Sequence, residues 1–313
     1  MMEKATVLVL LATYNGENYI RPMVDSVLAQ DYQDVKIILS DDNSTDTSPA
    51  ILDEYAAMYP DRVFHYRSGM RFGCAQKHFM HLLAKFHDAP YIMFCDQDDV
   101  WHSDKIRKTL DKMKQVEAGE TVPAMVHTDL RVVDRDLQEL SASFWSHSDL
   151  DGSRLALNEL LVQNVVTGCT MMINNPLAQL ACRQIPQDAM LMHDWWLALL
   201  ASACGRTGFL NEATIDYRQH GNNSVGAKNV RSVGYLCQRL RSKKMRMALS
   251  NAAAQAQVFG DCYRDLLTKE QTELIEAFAS TQTAGLLRRD QIYIRHNLLK
   301  HGFVRVTAQL LGW

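Results

Sequence analysis

The chain has 313 residues, 47% of them hydrophobic and 22% charged, the make-up of a soluble globular protein with a full core rather than of a disordered or fibrous one. No stretch approaches the ~18 apolar residues that cross a bilayer, and seven scattered cysteines with no C-x-x-C pair signal neither a zinc site nor a disulfide framework, so thiols buried in a reducing compartment are expected. The net charge of -3 hides an asymmetry, since residues 228–313 carry 14 Lys and Arg against 6 acids while residues 1–227 carry 19 against 30.

The start, "MMEKATVLVLLATYNGEN", has the charge and short apolar run of a signal peptide. It lacks a small-residue cleavage site and passes directly into a turn, so it reads as a first strand. "TVLVLLA" is apolar throughout, the mark of a strand covered on both faces. "TYNGEN" turns, and Tyr19–Gln30 has helical spacing at Ile20, Met23, Val24, Val27 and Leu28. "VKIILS" is a second strand ending at "DDNSTD", Ser48–Met58 a helix, "RVFHYR" a short strand, Cys74–Phe86 a helix and "YIMFC" another buried strand. Such alternation predicts right-handed crossovers and a parallel sheet, with ligands beyond the carboxyl ends of its strands. The polar clusters "TYNGE", "SDDNSTD" and "DQDD" all fall at those ends.

Past Trp101 the alternation loosens. "AMVHTDLRVVD" and "VVTGCTMMINN" read as strands, "MHDWWLALLASACG" as a buried helix ending at Gly205, and "EATIDYRQHGNNSVG" as a strand entering a loop. From about Lys228 the pattern is helical, with "QRLRSKKMRMAL" basic and amphipathic and Gly285 and Gly302 as breaks. This predicts a body over residues 1–227 and a basic helical region over 228–313. That basic region is expected to rest on an anionic surface, or simply to present a solvated face. No stacking aromatics interleave its charges, which argues against nucleic acid.

Asp96, Asp98 and Asp99 crowd the end of the "YIMFC" strand. Mg²⁺ or Mn²⁺ takes one or two carboxylates and leaves other positions to substrate phosphate, which suits a D-x-D. The plain alternative has Asp99 or Ser103 capping the helix that begins near Asp104. "DQDDV" also fits the D-x-D-x-[TV] pattern of haloacid-dehalogenase-like phosphatases, but that motif follows a first strand, and here a full strand–helix–strand–helix run precedes it. In "SDDNSTD", Ser44 or Thr45 reads as a helix cap with Asp46 beside the helix end. Capping leaves the adjacent Asp41 and Asp42 unexplained, and a fixed carboxylate suits the N3–H of a pyrimidine.

With "ATYNGENY", "SDDNSTD" and "DQDDVW" in order, the first 110 residues resemble family 2 glycosyltransferases of the GT-A fold. "HTDLRVVD", "NVVTGCTMMINN", "MHDWWLALLA" and "YRQHGNNSVG" extend the likeness to about residues 5–227, toward the bacterial rhamnosyltransferases of cell-wall and surface polysaccharides. The resemblance implies an α/β GT-A fold with a central, mostly parallel sheet and C-terminal helices. It implies that Ala12, Tyr14, Glu17, Asp42 and Asp96 face a nucleotide, that Asp98 and His220 approach a Mn²⁺ or Mg²⁺ ion, and that Asp194 is the catalytic base. Arg71 stands where related enzymes often have Asn.

Inverting transfer needs a base for the acceptor hydroxyl and neutralisation of the leaving diphosphate. Asp194 sits in an apolar helix, where partial burial raises a carboxyl toward a useful pKa, although a helix N-terminus also welcomes an acid for purely local reasons. Trp196 reads as core, while Trp195 is either core or a wall for sugar rings. Gly168 reads as a bulge or close ligand approach, or as plain packing. The expected enzyme is cytoplasmic, peripheral on the inner membrane face, and moves a hexose from a nucleotide sugar to a lipid-linked glycan. The likeness points to dTDP-β-L-rhamnose as donor, and a UDP-sugar would satisfy the same pyrimidine acceptor. A nucleotidyltransferase, which wants a glycine- and basic-rich first loop, and a non-catalytic glycan- or membrane-binding scaffold are the competing classes.

Overall fold

The computed structural model describes residues 7–183, 186, 188–220 and 244–311. Strand β1 (Val7–Thr13) shows why the first apolar run is unbroken. Val7, Val9 and Leu11 enter one apolar cluster and Leu8 and Leu10 another, on opposite faces of one sheet. β2 (Val35–Asp41), β3 (Val63–Tyr66) and β4 (Tyr91–Asp96) lie parallel to it in the order β3-β2-β1-β4. Helices α1 (Ile20–Leu28), α2 (Ser48–Met58) and α3 (Ala75–Phe86) make the crossovers. Helix α1 buries Ile20, Met23, Val24 and Val27, the stripe its spacing predicts.

The second half adds β5 (Val100–Trp101), α4 (Lys105–Glu117), β6 (Ala124–Val133), β7 (Glu139–Ser141), α5 (Phe144–His147), α6 (Leu157–Val162), β8 (Met172–Asn174), α7 (Asn175–Cys182), α8 (His193–Cys204) and β9 (Arg206–Arg218). The sheet continues as β8-β6-β9-β5, with β8 antiparallel to both β4 and β6, and β9 parallel to β6. The strand expected over "VVTGCTMMINN" is therefore mostly absent. Gly168–Thr170 form a 3-10 turn and only Met172–Asn174 pair, because the Gly168 N–H goes to a carboxylate instead of a neighbouring strand.

The expected caps also differ. Thr47, not Ser44 or Thr45, precedes α2, and the free amides there are taken by Asp46 Oδ1 on Ser48 N–H (2.9 Å) and Glu17 Oε2 on Thr47 N–H (3.0 Å). Asp104 precedes α4, and neither Asp99 nor Ser103 serves as its cap.

Helices α9 (Lys244–Cys262), α10 (Lys269–Ser280), α11 (Leu286–Arg295) and α12 (Phe303–Leu310) follow, with Gly285 and Gly302 at the starts of α11 and α12 as expected. These helices share the core of the body: Phe259 and Tyr263 pack on Trp196 at ring separations of 5.3 and 6.0 Å. The expected boundary near residue 228 and the run Gln238–Lys243 lie outside the described residues. Among the described residues no helix is long and apolar enough to cross a membrane, and the six described cysteines are free, Cys95 and Cys169 buried and Cys74 exposed.

Candidate active site

The loop after β1 and the loop after β2 are latched together. Asn15, held at φ 49°, receives the Thr45 N–H on its Oδ1 at 2.9 Å and donates its own N–H to Ser44 Oγ at 2.8 Å. Gly16 N–H reaches Ser48 Oγ at 2.9 Å, and Glu17 Oε2 also accepts from Thr47 Oγ1 at 2.7 Å. Asp41 accepts from the amide (2.7 Å) and hydroxyl (2.5 Å) of Ser44. Asp42, one residue past β2 and buried, donates its N–H to Thr13 O at 2.8 Å, while its carboxylate accepts the N–H groups of Phe72 and, at 2.8 Å, Gly73. Asp42 thus stitches the loop ahead of α3 to the tip of β2, and Glu17 ties the first turn to α2.

Tyr14 is exposed, with the Arg71 guanidinium 5.7 Å above its ring. Ala12 pairs in register with Asp96 across β1 and β4, so a small residue flanks the acidic strand end. Gln97, unassigned by sequence reasoning, joins the two tips: its Oε1 accepts from Thr13 Oγ1 (2.6 Å) and Tyr14 N–H (2.8 Å), and its Nε2 donates to Tyr14 O (3.2 Å).

The β4 end gathers the acids. Burial, then Asp98 and Asp194, push the Asp96 carboxyl up. Asp99 is fully buried and pushed well up, first by burial and then by Asp98 and Asp96. Its Oδ1 accepts the Arg218 N–H at 3.2 Å, and among the described residues Oδ2 meets no N–H or O–H donor, with the Cys169 thiol beside the carboxyl. Positive charge approaches from behind. Lys105 is fully buried, its ammonium 3.2 Å from Thr214 Oγ1 and 4.9 Å from the centre of the Trp101 ring. Burial lowers the Lys105 ammonium to about 8 against the pull of Cys169, Cys95 and Asp99. Arg218 donates Nε–H to Asp98 O at 2.8 Å with its guanidinium 5.2 Å above the Tyr19 ring. His220 stacks on Tyr19 with ring centres 4.8 Å apart, and its Nε2 lies 2.6 Å from Asp98 Oδ2. Asp98 and His220, more than a hundred residues apart, are direct partners.

Asp194 stands in the first turn of α8, buried, with its carboxyl raised to about 6 by burial against three donors. Oδ1 accepts from Trp195 N–H (2.6 Å) and Asn164 Nδ2 (3.0 Å), and Oδ2 from Gly168 N–H (2.9 Å). Gly168 packs against the neighbouring helix: a Cβ there would lie 2.6 Å from His193 Nε2. Trp195 donates its indole N–H to Leu160 O at 2.6 Å, and Trp196 is core.

The residues fit a divalent ion. One ligand atom each of Asp96, Asp99 and Cys169 lies within 4.8 Å of the others, and the carboxylates of Asp96 and Asp99 supply hard oxygens, which Mg²⁺ and Mn²⁺ prefer to a thiol.

A sheet with acids massed at its strand ends and helices on both faces is the GT-A architecture of enzymes that handle nucleotide-diphospho sugars. The chain belongs to glycosyl transferase family 2, which it matches over residues 8–180. It is 29% identical over 224 residues to the dTDP-rhamnosyl transferase RfbG of Shigella flexneri, covering 69% of this chain and 74% of that one. It is 27% identical over 212 residues to uncharacterised proteins of Mycobacterium bovis and Mycobacterium tuberculosis, and spans 57% of their length. Among solved structures it resembles S. aureus TarS 1–349 in complex with UDP-GlcNAc, with a TM-score of 0.57 at 13% identity, over 98% of this chain and 90% of that one. It also resembles the mannosyltransferase PcManGT of Pyrobaculum calidifontis in complex with GDP-Man and Mn²⁺, with a TM-score of 0.54 at 18% identity, over 99% and 86%.

Proposed function

We propose that this protein is an inverting, metal-dependent hexosyltransferase that moves L-rhamnose from dTDP-β-L-rhamnose to a hydroxyl of a lipid-linked glycan. One observation carries the reading: Asp194, on a helix, is close enough to Asp96, on a strand tip, to raise its carboxyl, which supports a base working beside acids that serve the diphosphate. The acceptor hydroxyl attacks the anomeric carbon, Asp194 takes its proton, and the sugar–phosphate oxygen bond breaks on the opposite face. Asp96 and Asp98, with His220 against Asp98, would hold Mn²⁺ or Mg²⁺, which when bound neutralises charge on the leaving diphosphate. Asp42 and Glu17 frame the pocket, with Tyr14 as an exposed platform for the base and Ala12 leaving room beside it. The free lone pairs of Asp42 suit a pyrimidine N3–H. Trp195, next to Asp194 in the chain, and Gly168, whose N–H meets Asp194 Oδ2 at 2.9 Å, are assigned to the acceptor.

Likeness to RfbG supports the rhamnosyl donor. The UDP-GlcNAc complex of TarS favours a second reading, a UDP-sugar donor. A thermal-shift panel of nucleotide sugars with Mn²⁺ or Mg²⁺ separates them. Stabilisation by dTDP-rhamnose above UDP- and GDP-sugars is expected, and the reverse order overturns the donor.

Work at the cytoplasmic face of a membrane draws support from α11. Leu287 (82% exposed) and Ile294 (63% exposed) share one face with exposed Arg288 and Arg295. Apolar residues flanked by arginines suit an anionic interface. Sedimentation with phosphatidylglycerol vesicles should fall when Leu287 and Ile294 become Gln, and unchanged sedimentation removes α11 from the account.

A further inference from the structure

We infer that Asn164 is the positioning residue that decides which oxygen of Asp194 receives the acceptor's proton. The inference rests on Asp194 being the base of the proposed transfer. Two donors converge on Asp194 Oδ1, the Trp195 N–H at 2.6 Å and Asn164 Nδ2 at 3.0 Å, while among the described residues Oδ2 accepts only the Gly168 N–H at 2.9 Å. A carboxylate oxygen has two lone pairs in the plane of the group. Oδ1 is filled, so the open position is on Oδ2. Transfer then forms the Oδ2–H bond as the acceptor O–H breaks, and the acceptor oxygen's electron pair forms the new glycosidic bond.

Of the three donors, only Asn164 is a side chain, and it is held from both ends. Its Oδ1 accepts the Val166 N–H at 3.0 Å, and its Nδ2 also donates to Val166 O at 2.9 Å. Both amide protons are thereby used, so the amide cannot turn without breaking the local turn or releasing the base. The preceding residue is anchored too: Gln163 Oε1 accepts the His301 N–H at 2.8 Å, which fastens this segment to the stretch between α11 and α12. Among the described residues, the charged group facing Asp194 from another element is Asp96 on β4. On its own helix stands His193, buried, kept neutral by burial and packed on Phe79 and Phe94 at 4.6 and 5.1 Å. Neither offers a positive charge, so hydrogen bonds supply what holds the carboxylate ionised. Aspartate at 164 is nearly isosteric and keeps the oxygen that accepts from Val166 N–H, but it replaces the donor with a like charge beside Asp194. It therefore keeps the turn while removing the donor, and its acid limb should move further than that of the uncharged Asn164→Ala.

The test measures transfer against pH, donor binding by calorimetry, and melting, for wild type, Asn164→Asp and Asn164→Ala. In both variants the acid limb of kcat should move up, by about one pH unit in Asn164→Ala and further in Asn164→Asp, since a charge-assisted donor has been removed from the ionised form. The kcat at neutral pH should fall ~10-fold, with donor affinity within about two-fold of wild type. An acid limb at the wild-type pH in folded Asn164→Asp overturns the inference. If Asn164→Ala loses its fold, Asn164→Asp decides alone. Loss of folding in both also counts against the inference, because the turn would then be what Asn164 provides. Should Asp194→Asn itself transfer at full rate, it is the assignment of the base that fails.

Discussion

The two halves of the site use acidic side chains in opposite ways. On the β1–β2 side, Glu17, Asp41, Asp42 and Asp46 accept hydrogen bonds from loop amides and hydroxyls and so build a frame. On the β4–α8 side, half-buried Asp96 and buried Asp99 and Asp194 have raised carboxyls, and Asp99 keeps an oxygen that meets no N–H or O–H donor among the described residues. Acids tied to loop donors at the sheet end stabilise structure, whereas carboxyls raised by burial, even with donors as at Asp194, cost stability and are explained by chemistry. A nearby pair shows that the difference is not proximity alone. Asp216 is also partly buried, which by itself would raise it, but His102 at 2.8 Å and Arg131 at 2.6 Å hold it down at about 2.

Substitution should break this contrast unequally. The largest effect is expected at the base: Asp194→Asn should lower transfer by about 10³-fold while calorimetry shows the donor still bound. Next, Asp98→Ala should weaken donor binding in Mn²⁺ by about 10- to 100-fold, and the difference between binding with and without the ion should shrink. Smaller still is the effect of removing a frame acid. Asp42→Ala leaves the Phe72 and Gly73 amides without their acceptor, and urea unfolding should show a loss of about 2 kcal/mol, with a weaker effect on kcat than on donor KM. A kcat loss at Asp42 as deep as at Asp194 would erase the distinction between the halves.

The parallel half of the fold was legible because β1, β2 and β4 are buried along most of their length and each crossover helix carries an apolar stripe. Helix α2 fell on its predicted residues, and α1 and α3 within two. Legibility failed where long-range hydrogen bonds override local pattern. Nothing in "NVVTGCT" announces that Gly168 will give its amide to Asp194, so a strand was expected where a 3-10 turn forms. The caps of α2 come partly from Glu17, some thirty residues away, which no local capping rule can find. Among site residues, Asp98 and His220 were recognisable as motif positions, and the structure places them in contact. Gln97, Asn164 and Arg218 were not singled out, although all three lie inside quoted motifs, and neither was Lys105, four residues past "DQDDVW". Their roles depend on partners on other elements.

The central claim is that a carboxyl raised by burial serves as the base. Single-turnover transfer measured from pH 5 to pH 8 tests it most directly. Asp194 works ionised and its carboxyl stands at about 6, so the rate should be full above that value and fall with a one-proton slope as pH drops through it. A rate that stays level across the whole range would contradict the account.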